Sequence, residues 1–167
     1  MTQMPSRATW RVNPEENEDL ATPALAPVEH TDLPPRPAVL APPRILVVDD
    51  DPDFLDTMAE ALAAEGLDVH TARTPGEAVM QAVRVPPDVI LLDIMLGNTD
   101  GIDVLEALRA EPETRAVPVL ACTALGDRDT ARLLPTLGFD GLLAKPLDPH
   151  QLARAIRAHI PGRAQEQ

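Results

Sequence analysis

Cysteine is nearly absent: Cys122 is the only one among 167 residues, so no internal disulfide can form and a reducing cytoplasm is the expected setting. No window reaches the apolar length of a membrane span or of a signal-peptide core. Positive charge is scarce as well. Lysine and arginine number 14 against 27 acidic residues, for a net charge of -13, so the chain as a whole repels phosphate backbones and anionic lipid surfaces. Neither nucleic acid nor membrane is an expected partner. Lysine is scarcest of all, Lys145 standing alone beside 13 arginines. The four histidines, His30, His70, His150 and His159, are scattered and form no metal set.

What is abundant is proline, and it is uneven: 9 of the 19 prolines fall within the first 43 residues. Residues 1–43 carry no sustained helical or alternating apolar period, and their X-Pro bonds disfavour helix. They are expected to form a disordered, acidic, proline-rich tail. Trp10 stands out there, as an incidental aromatic or as part of a short docking motif. The remainder is long enough for one folded domain, expected over 44–160, with a short tail at 161–167.

From Arg44 onward, short apolar runs alternate with longer amphipathic stretches, five times over. The runs are Ile45–Val48, Leu67–His70, Val89–Leu92, Val117–Ala121 and Gly141–Ala144. This is the pattern of an α/β fold, a doubly wound five-stranded parallel sheet wrapped by helices. The first and third runs are continuously apolar and belong mid-sheet; the polar-interrupted second suits an edge. Asp51-Pro52, Thr74-Pro75 and Asp148-Pro149 each place a capping side chain before proline at a first helical position. Apolar spacing selects Phe54, Met58, Ala61 and Leu62 as the buried face of the first helix. The same spacing gives Ala78, Val79, Ala82 and Val83 in the second, Val104, Leu105 and Leu108 in the third, and Leu152, Ala155 and Ile156 in the last. Pro135 should shorten or kink the fourth helix, expected near Asp127 to Leu137. Right-handed crossovers then permit the flavodoxin-like order 2-1-3-4-5, whose switch point lies between strands 1 and 3.

In that order the residues following the strands converge: Asp49, Asp50 and Asp51 after the first, Asp93 after the third, Cys122 and Thr123 after the fourth, Lys145 after the fifth. Several carboxylates a few ångströms apart raise one another's pKa and call for a divalent cation; hard oxygen donors favour magnesium. A carboxylate can itself attack phosphorus when the charge on the phosphoryl oxygens is neutralised. Asp93 is the candidate nucleophile, Asp49 and Asp50 the candidate metal ligands. Lys145 and Thr123 are candidate partners of the phosphoryl oxygens. Taken singly, each residue has a plain structural explanation. Asp51 caps a helix, Asp93 caps the loop after its strand, Thr123 is a loop hydroxyl and Lys145 a solvated cation, while Cys122 is read apart from them as a small buried hydrophobe. Four such residues at four strand ends are harder to explain that way.

The segments ILVVDDDP, DVILLDIMLGNTDG, VPVLACTA and GLLAKPLD, in this order and spacing, resemble the receiver domain of bacterial response regulators over Arg44 to about Ile160. The resemblance implies phosphorylation of Asp93 by a histidine kinase or histidine phosphotransfer protein. It further implies magnesium held by Asp50, Asp93 and the Met95 carbonyl, with Asp49 acting through water. Thr123 would be the switch hydroxyl, Lys145 the phosphoryl-binding amine, and Lys145-Pro146 a cis bond. A stand-alone regulator that signals to a downstream protein target is expected, catalysing only its own phosphorylation and dephosphorylation. Two residues depart from the pattern. Gly97 replaces the usual loop proline, which suggests a looser loop, and Leu142 replaces the usual aromatic of the coupling step.

Two other chemistries compete. A haloacid-dehalogenase-type phosphatase also begins with acids after an apolar strand, but Asp53 stands where that family has threonine or valine. A flavin-binding module needs a phosphate cradle after strand 1, where three aspartates would repel the phosphate. A partner domain that binds kinase without being phosphorylated is disfavoured by the intact acid and lysine set.

Overall fold

The computed structural model describes residues 41–124 and 128–161; Trp10, nearly all of the expected N-terminal tail and most of the C-terminal one lie outside them. Five strands form one parallel sheet: β1 (Arg44–Val48), β2 (Asp68–Ala72), β3 (Val89–Asp93), β6 (Val119–Thr123) and β7 (Gly141–Ala144), in the order β2-β1-β3-β6-β7. Apart from a small hairpin, this is the expected 2-1-3-4-5 order. The hairpin pairs β4 (Met95–Leu96) with β5 (Thr99–Asp100). Helices α1 (Pro52–Ala64), α2 (Pro75–Arg84), α3 (Gly101–Ala110), α4 (Arg128–Leu137) and α5 (Pro149–His159) connect the strands.

Central strands carry the core. All five residues of β3 and of β6 are buried, as are the last four of β1, whereas β2 and β7 at the edges are mostly half-exposed. A strand covered on both faces loses water from every side chain, which is why its sequence is an unbroken apolar run. One layer packs β1, β3 and β6 against α2 and α3, through Leu46, Ile90, Leu92, Val104, Leu105 and Leu108. The other packs the same sheet against α1 and α5, through Ile45, Leu91, Leu62, Leu152 and Ile156.

The structure moves two strands relative to the sequence reading. The fourth main-sheet strand begins at Val119 rather than Val117 and runs on to Thr123, and the second runs to Ala72. Parallel pairing sets these limits. Ile90 faces Val119, Asp93 faces Cys122, and Val48 faces Ala72, so neighbouring strands extend one another.

Three helix starts follow their sequence signals. Asp51 accepts from the amides of Asp53 and Phe54, Thr74 from that of Glu77, and Asp148 from that of Gln151. Buried faces differ in detail: α1 buries Leu55, Met58 and Leu62, while Phe54 and Ala61 are only half-buried; in α5 Ala153 is buried and Ala155 half-buried. Helix α4 continues through Pro135 and ends two residues later at Leu137. Gly138, at φ +101°, then turns the chain out of the helix.

The replacement of the usual loop proline by Gly97 has a conformational reason. Gly97 sits at φ +60° in the two-residue turn of the β4–β5 hairpin, a conformation closed to proline.

Candidate functional site

Strand β3 ends at Asp93, and the chain behind it is fixed by close backbone packing. The amide of Gly101, the first residue of α3, donates to the carbonyl of Ile94 at 2.7 Å. A Cβ on Gly101 would lie 2.4 Å from the Asp93 carbonyl oxygen and 2.8 Å from the Ile94 Cα, so only glycine fits here. On the side-chain side, Asp93 Oδ1 accepts from the amide of Met95 at 3.0 Å. The carboxylate thus has a defined orientation before any ligand arrives.

Strand β1 supplies the neighbouring acids. Asp49 is buried, and its Oδ1 accepts from the amide of Asp51 at 2.9 Å. Asp50 is exposed beside it. One oxygen from each of Asp49, Asp50 and Asp93 lies within 4.8 Å of the others. Lys145, following β7, crosses the sheet edge to meet them. Its Nζ is 2.5 Å from Asp49 Oδ2 and 3.2 Å from Asp93 Oδ2. The Lys145-Pro146 peptide is cis. Thr123 ends β6 one position beyond Cys122, the register partner of Asp93; it is buried, and its carbonyl accepts from the amide of Lys145 at 2.8 Å. Met95 follows Asp93 by two positions and is 60 % exposed.

Electrostatics follow from this crowding. Burial is the largest influence on the Asp93 carboxyl and, together with the Asp49 charge, raises its pKa against the Met95 hydrogen bond and the Lys145 charge. For Lys145 burial acts downward, but the hydrogen bond to Asp49 and the charges of both aspartates outweigh it and raise its pKa. Cys122 is 3 % exposed, and burial pushes its thiol up to about 12, so it is inert packing.

Three carboxylates facing one ammonium leave an excess of negative charge, and their oxygens are close enough to share a single hard cation. The donor set therefore fits magnesium, with Asp49, Asp50 and Asp93 as the residues able to hold it.

One contact escaped the sequence reading. The Phe54 ring lies beneath Lys145, with the Nζ 4.1 Å from its centroid. Helical spacing assigned Phe54 to the core face; it is half-buried there, against the layer of α1 and α5, while its neighbour Leu55 is fully buried. No sequence signal separates the two neighbours. Which one turns inward depends on how α1 rolls against the sheet.

Comparison with known proteins agrees with the fold. The family model "Response regulator receiver domain" matches residues 45–157. The DNA-binding dual master transcriptional regulator RpaA of Synechocystis is 38 % identical over 116 residues, which is 70 % of this chain and 48 % of that protein. The DNA-binding response regulator MtrA of Mycolicibacterium smegmatis is 36 % identical over 117 residues, 70 % of this chain and 50 % of that protein. Among solved structures, the receiver domain of the sensor histidine kinase PA1611 of Pseudomonas aeruginosa is 30 % identical with a TM-score of 0.64, covering 70 % of this chain and 95 % of that one. It is described with a magnesium ion coordinated in its active-site cleft. The chemotaxis protein CheY4 of Vibrio cholerae, 25 % identical, matches 72 % of this chain and 100 % of its own with a TM-score of 0.68. The chain belongs to the response regulator receiver domain family. It spans about half the length of the curated relatives it matches.

Proposed function

We propose that this chain is a phosphoacceptor switch in which Asp93 takes a phosphoryl group from a phosphohistidine on a histidine kinase or histidine phosphotransfer protein. The carrying observation is that Lys145 reaches 3.2 Å from Asp93 across the sheet edge, beside Asp49 and Asp50. An Asp93 oxygen attacks phosphorus, an O–P bond forms, and the P–N bond breaks with its electron pair leaving on the imidazole nitrogen. Lys145 exchanges part of its carboxylate contact for a phosphoryl oxygen, and the Thr123 hydroxyl donates to another. Magnesium, when bound by Asp49, Asp50, Asp93 and the Met95 carbonyl, supplies neutralisation of charge on the transferring group. The protein catalyses only its own phosphorylation and dephosphorylation.

The output is a change in protein binding. Drawing Thr123 and Lys145 toward the phosphoryl group pulls on β6 and β7 and biases the face formed by α4, β7 and α5. Large apolar side chains already stand exposed on α4 and β7: Leu133 at 59 %, Leu137 at 42 % and Leu142 at 37 %. Such surface suits a downstream protein target. Leu142, in the place of an aromatic, would have to couple through packing alone. No helix of the described residues is long and apolar enough to cross a membrane, which accords with a cytoplasmic role.

The test is labelling with a phosphodonor in magnesium. The chain takes up label and Asp93→Asn does not; label retained in that variant refutes the assignment. Steady turnover of a phosphate ester would revive the phosphatase reading. A second reading is favoured by the relatives, which are named as DNA-binding regulators about twice the matched length. On that reading the same switch is the input half of a transcription regulator, and phosphorylation controls a DNA-binding partner domain. The intact mass of the protein from its source cells separates this from the stand-alone regulator.

A further inference from the structure

Phe54 stands in the first turn of α1, and the Lys145 ammonium lies over its ring, 4.1 Å from the centroid. The ammonium therefore has two kinds of contact, hydrogen bonds with Asp49 and Asp93 and the attraction of the ring quadrupole. Lysine has a flexible four-carbon stem, so a single contact leaves its head group free to swing. The backbone that carries the ring is itself tied to the acid site. The Asp51 amide donates to Asp49 at 2.9 Å, and the Asp51 side chain accepts from the Phe54 amide at 3.3 Å. Asp49 and the Phe54 backbone are thus linked through a single helix cap.

A plainer explanation is packing, because Phe54 also lies against the core layer formed with α1 and α5. A leucine would serve that purpose equally well. An aromatic face is needed only if the contact with the ammonium matters.

We propose that Phe54 is a positioning residue for phosphoryl uptake: its ring face keeps the Lys145 amine in the crevice, within reach of an oxygen carried by Asp93. The inference rests on the reading of Asp93 as phosphoacceptor. When the phosphoryl group arrives, the amine gives up part of its contact with Asp93 without leaving the ring.

The full chain allows a clean test, since Lys145 is its only lysine. Lysine labelled with carbon-13 then gives one ε-carbon and ε-proton signal, which the ring current of Phe54 displaces from the position of a free lysine. Phe54→Leu should return that signal to the free position and slow labelling by acetyl phosphate in magnesium by about three- to tenfold. Phe54→Tyr, which keeps the ring, should hold both the signal and the rate near wild type. Phe54→Met replaces the leucine variant if that one unfolds. Leucine and tyrosine variants that are equally slow would reduce Phe54 to a packing residue, and a leucine variant with wild-type rate and signal would overturn the proposal. If the wild-type chain itself takes no label, the phosphoacceptor reading fails instead. The lysine signal then decides the ring contact on its own: a signal unmoved by Phe54→Leu removes it, and a shifted one sustains it.

Discussion

At the residue scale the acid site trades stability for readiness. Asp93 is buried among backbone and carboxylate oxygens, and burial raises its pKa despite Lys145. A raised acid pKa means that, between the ordinary value and the folded one, the folded chain binds more protons than the unfolded chain. The Asp93 contribution to stability is therefore greatest below the ordinary carboxylate range and declines as pH rises through the folded pKa. At neutral pH the ionised group is a net cost. Asp93→Asn should raise the thermal midpoint of the magnesium-free protein by a few degrees, the effect of about 1 kcal/mol in a domain of this size. The gain should shrink as the pH is lowered toward 4, about the ordinary carboxylate value, where wild-type Asp93 becomes protonated. Calorimetry of the two proteins across this range checks both statements, and a variant less stable at neutral pH contradicts them.

At the element scale, the helices owe their positions to polar fastenings as much as to apolar faces. Arg109, in the last turn of α3, shows this best. Its guanidinium donates to the carbonyls of Arg115, Val117 and Gly138 and to Asp140 Oδ2, at 3.0, 2.6, 3.3 and 2.9 Å. Asp140 in turn accepts from the amide of Val119. One side chain thus joins the end of α3, the start of β6 and the exit of α4. Arg109→Ala should cost about 2 kcal/mol by urea unfolding, because hydrogen bonds to charged groups are worth more than neutral ones. Arg109→Lys should recover little, since an ammonium cannot span partners arranged for a planar fork. Full recovery by lysine would show that charge, not geometry, is what matters there. No local sequence signal singles this arginine out.

At the scale of the whole molecule, the site lies where the sheet's layers and its connections meet. β1 and β3 are neighbours at the switch point of the strand order, so loops that are remote in sequence open side by side. A ligand that binds this assembled edge and not the unfolded chain must stabilise the whole domain. Magnesium at about a hundred times its dissociation constant should add about 2.7 kcal/mol to wild-type stability. Asp50→Asn should lose most of this response, because Asp50 is exposed and its replacement disturbs little else. A midpoint that ignores magnesium in the wild type would remove the metal from the proposed function.

Sequence alone determined the architecture and the membership of the acid set. Unbroken apolar runs, proline-led helix starts and acids after strands are local statements, and local chemistry dictates them without knowledge of the partner strands. Strand limits were less legible: β6 begins two residues late because pairing with β3 chooses its register, a non-local choice. The same holds for the Gly97 hairpin, for the glycine at position 101 pressed against the Asp93 backbone, and for Phe54, turned toward Lys145 while Leu55 fills the core. Only the tertiary structure decided these. Each depends on the distance between surfaces that approach one another after the chain has folded, and such distances leave no trace in the spacing of residues along it.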